Sequence, residues 1–111
     1  MTRDNAYLYD ILESARLALE HIGNVPQDEF EKDILLQDAV VRRLEIIGEA
    51  TRRTSIETKQ KYPHLPWKDM LGMRNAAIHE YDNLDLKLIW DTVTQDLPDL
   101  ITELEKIIPL D

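Results

Sequence analysis

The stretch that decides the fold is residues 36–50, LQDAVVRRLEIIGEA. Its apolar side chains recur at steps of three and four, the spacing of one face of an α-helix. This stripe consists of Leu36, Ala39, Val40, Leu44, Ile47 and Ala50. Gly48 lies inside the pattern and costs about 1 kcal/mol relative to alanine. We therefore predict a long helix over about residues 28–53 that can be interrupted near residues 32–33. We also predict that another backbone or side chain comes close to Gly48.

The same helical period runs through the rest of the chain. Residues 4–22 predict a first helix that ends at Gly23, and residues 55–61 predict a short one. A further helix is expected from Pro66 to about residue 80, because proline suits a first helical turn. Asp85 is a candidate cap for the last helix, which Pro98 should kink or break near Leu97. The sequence thus predicts a single all-α domain over residues 1–111, a bundle of four or five helices.

Composition limits the class of protein. A chain of 111 residues suits one domain with a modest core, which pairing with a second copy would enlarge. It contains no cysteine, so disulfides and thiolate chemistry are absent. No apolar run approaches the roughly 20 residues that span a bilayer, and the N-terminus has no secretory pattern. We expect a soluble, cytoplasmic protein without a membrane partner.

The charge of the chain is unevenly distributed. The net charge is −9, but residues 40–81 carry 8 basic and 5 acidic side chains, while residues 1–39 and 82–111 are each −6. A basic band between acidic ends can attract a polyanion despite the net charge. Arg42, Arg43 and Lys68 of this band are candidate RNA contacts. The alternative is that these residues form solvated helix faces with local ion pairs.

Residues 72–83, GMRNAAIHEYDN, concentrate polar side chains at the end of a predicted helix. Arg74 offers a permanent charge and a fork that matches phosphate. His79 can transfer protons near neutral pH, and Asn75, four residues before it, can orient the imidazole. Together these groups could cleave RNA without a metal: histidine would deprotonate a ribose 2′-OH, and arginine would stabilise the phosphorane. The second acid would have to come from elsewhere, and a symmetric dimer could supply it.

Structural explanations of these residues stay open at this point. A lone histidine near a helix end often serves packing or the helix dipole, and an arginine often pairs with a carboxylate. Glu45 and Glu49 share a helix face and are expected to pair with Arg42, Arg52 or Arg53. No histidine is spaced to join these carboxylates, so neither a metal site nor a cofactor is expected.

The pattern R-x4-H-x-Y, formed by Arg74, His79 and Tyr81, resembles the signature of HepT-like toxins in the HEPN superfamily. The similarity extends to DAVVRRLEIIGEA (38–50), YPHLPWKDMLGMRN (62–75) and LDLKLIWDTVTQDLP (84–98). It therefore covers most of the chain, from the second helix to the last.

This resemblance implies a HEPN-like helical homodimer and a metal-independent endoribonuclease. Arg74 and His79 would be catalytic, Asn75 would support them, and two motifs would face each other in a cleft. The resemblance also implies a toxin–antitoxin pair with an MntA-like nucleotidyltransferase, which would transfer AMP to Tyr81. RNA would be the substrate, and DNA is not expected to be one.

Two other interpretations compete with the ribonuclease. The chain could be a non-catalytic helical partner that docks the nucleotidyltransferase, which the acidic ends favour. It could also be an all-α nucleotide hydrolase, although the acidic residues 28–33 lie in an expected turn rather than on facing helices.

Overall fold

In the computed structural model, residues 3–77 and 85–108 are described, except for the side chains of residues 75–77. Seven α-helices and one π-helical turn make up this part of the chain. They are α1 (Arg3–Ile22), α2 (Gln27–Phe30), α3 (Ile34–Arg53), α4 (Ile56–Lys61), α5 (Trp67–Ala77), α6 (Leu86–Asp91), the π turn (Thr92–Asp96) and α7 (Leu97–Ile107). The described residues contain no strand, so the predicted all-α class is confirmed.

The interruption predicted within residues 28–53 is a break between α2 and α3. Asp33 begins α3, and its side chain accepts a hydrogen bond from the backbone N–H of Leu36 at 3.0 Å. Such a cap satisfies one of the donors left free at a helix start. Gln37 connects α3 to the end of α2, because its buried side-chain amide donates a hydrogen bond to the carbonyl of Phe30. The ring of Phe30 is fully buried, so the short α2 contributes to the core.

The core is formed where α3 packs against α1 and α5, and α7 also packs against α1. The predicted stripe of α3 supplies four buried side chains, and α1 supplies its matching face. These residues are Val40, Leu44, Ile47 and Ala50 from α3, and Ile11, Leu12, Ala15 and Ala18 from α1. Helices α6 and α7 add Ile89, Leu97, Leu100 and Leu104. The described helices α2, α4 and α6 are only one or two turns long. The other four helices, α1, α3, α5 and α7, form the bundle of four or five helices that the sequence predicted.

The last helical region begins at the predicted cap and is interrupted before the proline. The side chain of Asp85 accepts from the N–H of Leu88 at 3.0 Å. The chain then widens into the π turn Thr92–Asp96, and Pro98 lies in the first turn of α7. Proline has no N–H for the preceding turn, and its ring crowds the carbonyl four residues earlier. The expected disturbance near Leu97 is therefore present, as a change of helical winding.

None of the helices in the described part of the chain is long and apolar enough to cross a membrane.

Candidate functional site

The candidate site is built around Arg74, which lies near the end of α5 with its side chain 42 % exposed. Helix α5 is held against the core by Met70 and Met73, both buried, and by the half-buried Trp67. The indole N–H of Trp67 donates to the carbonyl of Tyr62 at 2.9 Å and fixes the start of the helix. The buried side chains of α5 therefore leave Arg74 only partly covered.

Gly48 allows α5 to approach α3 closely beside Arg74. A Cβ atom at position 48 would lie 2.4 Å from the Cβ of Arg74 and 2.7 Å from its backbone nitrogen. Real side chains essentially never make such contacts, so the site requires glycine. The close approach that the sequence predicted at this glycine is confirmed, and the neighbour is the arginine of the motif.

Glu49, the next residue of α3, pairs with the same arginine. Its Oε1 lies 2.8 Å from Nε of Arg74. Its Oε2 accepts a hydrogen bond from the guanidinium of Arg52 at 3.3 Å. The bond from Arg52, and then the nearby charges of Arg74, Arg52 and Arg53, lower the pKa of Glu49 below its usual value. Glu49 is therefore ionised at neutral pH and holds a charge of opposite sign against Arg74.

An open groove of about 490 Å³ lies beside this ion pair. Three guanidinium groups line it, from Arg42, Arg53 and Arg74. Three acidic residues, one tyrosine and two apolar residues complete the lining. They are Asp10, Glu45 and Glu49, then Tyr7, and then Ile46 and Ala50. The groove thus runs between α1, α3 and the end of α5, and its three arginines are accompanied by three carboxylates.

The predicted site residues fall into three groups. Arg42 lines the groove with Arg74, whereas Lys68 lines a separate groove with Gly72 and Leu88. Arg43 lies on α3 beside Arg42 but is not among the residues of either groove. The side chain of Asn75 and the whole of His79 and Tyr81 lie outside the described residues.

Sequence reasoning missed Arg53 as a groove residue. It assigned Arg53 to an ion pair within the helix, because Glu49 lies four positions before it. In the structure, Arg52 pairs with the carboxylate of Glu49, and the exposed Arg53 lines the groove. The available signal was spacing: Arg42, Glu45, Glu49 and Arg53 recur at steps of three and four and so share one helix face.

Two histidines of the described residues, His64 and His21, lie away from this groove. His64 lies 3.7 Å from a carboxylate oxygen of Glu103, beside a second groove of about 310 Å³ that also contains Asp69, Asp96 and Asp99. His21 is in the last turn of α1. In the described residues, no group of three or more histidine, aspartate or glutamate side chains could hold a metal ion.

Comparisons with known proteins agree on one family. The family described as ribonuclease HepT-like matches residues 11–107. A Methanocaldococcus jannaschii protein named "Putative RNase MJ1380" is 43% identical over 90% of this chain and 92% of its own length. "Putative RNase TTE0752" of Caldanaerobacter subterraneus is 35% identical over 97% of this chain and 96% of its own. "Probable ribonuclease HepT" of Thermococcus cleftensis is 39% identical over 91% and 92%.

No solved protein structure matches the chain at a significant level. The family match and the relatives nevertheless each cover nearly the whole chain, including the helices that form the groove. The chain therefore belongs to the HepT-like ribonuclease family.

Proposed function

We propose that this protein is a metal-independent endoribonuclease with a composite active site at a dimer cleft. The observation that carries the proposal is the position of Arg74, half exposed at a groove with two further arginines, in a chain of a ribonuclease family. A guanidinium in this place can contact a phosphate while the groove receives the neighbouring part of the strand.

In the proposed reaction, His79 removes the proton from a ribose 2′-OH. The 2′-oxygen attacks the adjacent phosphate, and the bond to the departing 5′-oxygen breaks as that oxygen gains a proton. Arg74 stabilises the negative charge of the phosphorane, and Asn75 orients the imidazole. A second copy of the motif, brought opposite by dimer formation, supplies the acid. Cleavage thus leaves a 2′,3′-cyclic phosphate and a 5′-hydroxyl.

The decisive experiment incubates the purified protein with RNA in the presence of EDTA. The wild type should cleave, and Arg74→Ala and His79→Ala should each lose most of the activity, on the order of 100-fold or more. Cleavage that is unchanged in both variants contradicts the assignment of the site. A monomer at micromolar concentration, measured by sedimentation, contradicts the composite arrangement.

We further propose, from the resemblance of the motif, that the enzyme is a cytoplasmic toxin and that a nucleotidyltransferase antitoxin inactivates it by transferring AMP to Tyr81. The added phosphate and nucleoside would repel and block RNA beside the motif. Tyr81→Phe should abolish AMP transfer while the fold and RNA cleavage persist. Transfer of AMP to the phenylalanine variant at the wild-type rate contradicts Tyr81 as the acceptor.

A second candidate function is a non-catalytic docking protein for the nucleotidyltransferase. The acidic segments at both ends of the chain favour it, because an acidic surface repels RNA. The two functions are separated by the cleavage experiment: a wild type that leaves RNA intact while known ribonucleases cut it would support docking.

A further inference from the structure

The carboxylate of Glu49 lies between two arginines of different kinds. Its Oε1 faces Arg74 of the motif, at 2.8 Å from Nε, and its Oε2 faces Arg52 of its own helix, at 3.3 Å. Each carboxylate oxygen of Glu49 thus has its own arginine partner. A single exposed ion pair would contribute little to stability. The important effect of the Glu49–Arg74 ion pair is on the position of the arginine side chain.

The backbone around Glu49 is held in place by packing. Its two neighbours, Gly48 and Ala50, are buried in the contact between α3 and the rest of the bundle. The Cα of Arg74 is fixed in turn, because the backbone and Cβ of Arg74 rest on Gly48. The first atoms of both side chains are therefore fixed by packing, and the ion pair restrains the flexible remainder of the arginine.

The atom that Glu49 contacts is also informative. Nε carries one of the five N–H donors of a guanidinium, and the two terminal nitrogens carry the other four. The fork of terminal nitrogens is the edge that binds phosphate in a bidentate manner. The carboxylate lies within ion-pair distance of Nε, so its charge attracts the guanidinium at that nitrogen, while the terminal fork remains the edge that would bind phosphate.

We propose that Glu49 is the positioning residue for Arg74. It holds the guanidinium at the groove with its terminal fork toward the phosphate before RNA binds. Arginine otherwise loses considerable rotamer freedom when it engages a ligand, and a preformed orientation reduces that loss. This inference rests on the proposed function, in which Arg74 stabilises the phosphorane.

The test compares Glu49→Ala, Glu49→Gln and the control Glu105→Ala. Glu105 pairs with Arg16 between α7 and α1 at 2.5 Å, with exposure similar to that of the Glu49–Arg74 pair, and it does not line the groove. Glu49→Ala should lower kcat for RNA cleavage about 10- to 100-fold, the range expected when a reacting group is misplaced by about 1 Å. KM should change less than kcat. Glu49→Gln, which keeps an oxygen for Nε, should retain more activity than Glu49→Ala, and Glu105→Ala should match the wild type.

A readout independent of activity is the NMR order parameter of the Nε–H bond of Arg74. It should fall in Glu49→Ala and remain nearer the wild-type value in Glu49→Gln. Arg16 provides the internal reference, since its order parameter should fall in Glu105→Ala and stay unchanged in the Glu49 variants. Urea unfolding checks that Glu49→Ala is as stable as Glu105→Ala.

The outcomes separate the two proposals. Unchanged or increased activity in Glu49→Ala overturns the positioning role, and increased activity would identify Glu49 as a brake on Arg74. A loss of activity without a change in the Arg74 order parameter also overturns it, because Glu49 would then act by its charge. A wild type without ribonuclease activity instead overturns the proposed function, while the order parameters still decide whether Glu49 restrains Arg74.

Discussion

At the scale of single residues, Gly48 and Glu49 show what a sequence can and cannot reveal about a site. A glycine inside an apolar helical stripe is unfavourable for the helix, so its presence indicated a close contact, which is confirmed. The identity of the neighbour could not follow, because it comes from another helix. The expected pairing of Glu49 with Arg52 is confirmed as a local one, whereas the pair with Arg74 depends on how α5 packs.

Substitution of Gly48 should reveal the cost of separating α3 from α5. Gly48→Ala gains helix propensity of about 1 kcal/mol, but its Cβ meets the backbone of Arg74, which cannot rotate away. Overpacking of this kind costs about 1–3 kcal/mol, so we expect a net loss in the free energy of unfolding, measured in urea. Under the proposed function, RNA cleavage should fall with it, because Arg74 is displaced.

Gly72 supplies the matched control for that substitution. It lies within α5, and a Cβ added there would meet nothing within 4 Å. Gly72→Ala should therefore stabilise the protein by about 0.5–1 kcal/mol through helix propensity. If Gly48→Ala stabilises the protein to the same extent, that result contradicts the close contact between α3 and Arg74.

At the scale of elements, α1 is tied to α4 by one aspartate near its start. The carboxylate of Asp4 accepts hydrogen bonds from the backbone N–H and the hydroxyl of Ser55 and, at 2.5 Å, from the hydroxyl of Thr58. These bonds, chiefly the one from the hydroxyl of Ser55, lower the pKa of Asp4 below its ordinary range. The carboxylate thus joins the first turn of α1 to the N-cap of α4.

Asp4→Asn should destabilise the protein at neutral pH by about 1 kcal/mol, since hydrogen bonds to the carboxylate are lost. The pKa in the folded state is depressed, so the stabilisation is present above the unfolded pKa and is lost as the pH falls below about 4. The difference between the two proteins should therefore disappear in acid, as measured by urea unfolding at several pH values. Asp38→Asn, an exposed change on α3, should show no such convergence.

The π turn places Asp96 among other carboxylates. Partial desolvation of the exposed Asp96 carboxylate, followed by the charges of Asp69, Asp91 and Asp99, raises the pKa of Asp96. The sign is opposite to that of Asp4: the contribution to stability is present at low pH and is lost as the pH rises through the raised pKa. Asp96→Asn should consequently be more stable than the wild type at pH 7 and no more stable at pH 3. A neutral-pH loss of stability would show that a favourable contact of the carboxylate outweighs the repulsion.

Periodicity located the helices because each buries one continuous apolar face, and the caps at Asp85 and the stop at Gly23 followed from local chemistry. The role of Asp4 was not predictable, because its partners lie about 50 positions away in the sequence. Pro98 predicted a disturbance, but the choice of a π turn depends on how the flanking residues pack. Val93 and Leu97 are both fully buried across that turn.

At the scale of the whole molecule, charge is divided between two grooves. The groove at Arg74 contains three arginines and three carboxylates, whereas the groove at His64 contains four carboxylates, from Asp69, Asp96, Asp99 and Glu103. A net charge of −9 therefore coexists with a groove in which positive and negative side chains are equal in number. The sequence indicated this division as a basic band, but it could not choose which arginines share a surface.

Arg53 tests this arrangement. Arg53→Ala should weaken RNA binding and reduce the slope of log K against log salt by about 1, as expected for one lost phosphate contact. Lys106→Ala on α7, which pairs with Glu103, removes the same charge away from the groove and should leave the slope unchanged. Equal effects of the two variants, measured by fluorescence anisotropy over a range of salt, would mean that only net charge matters. Arg42→Ala should behave like Arg53→Ala.

The contact at Gly48 also indicates how changes elsewhere in the chain can move Arg74. Arg74 keeps its place only while the backbone of α5 rests directly on α3, with no side chain between them. A substitution that shifts α5 away from α3 would therefore displace the arginine and separate it from Glu49, even at a position that lines no groove.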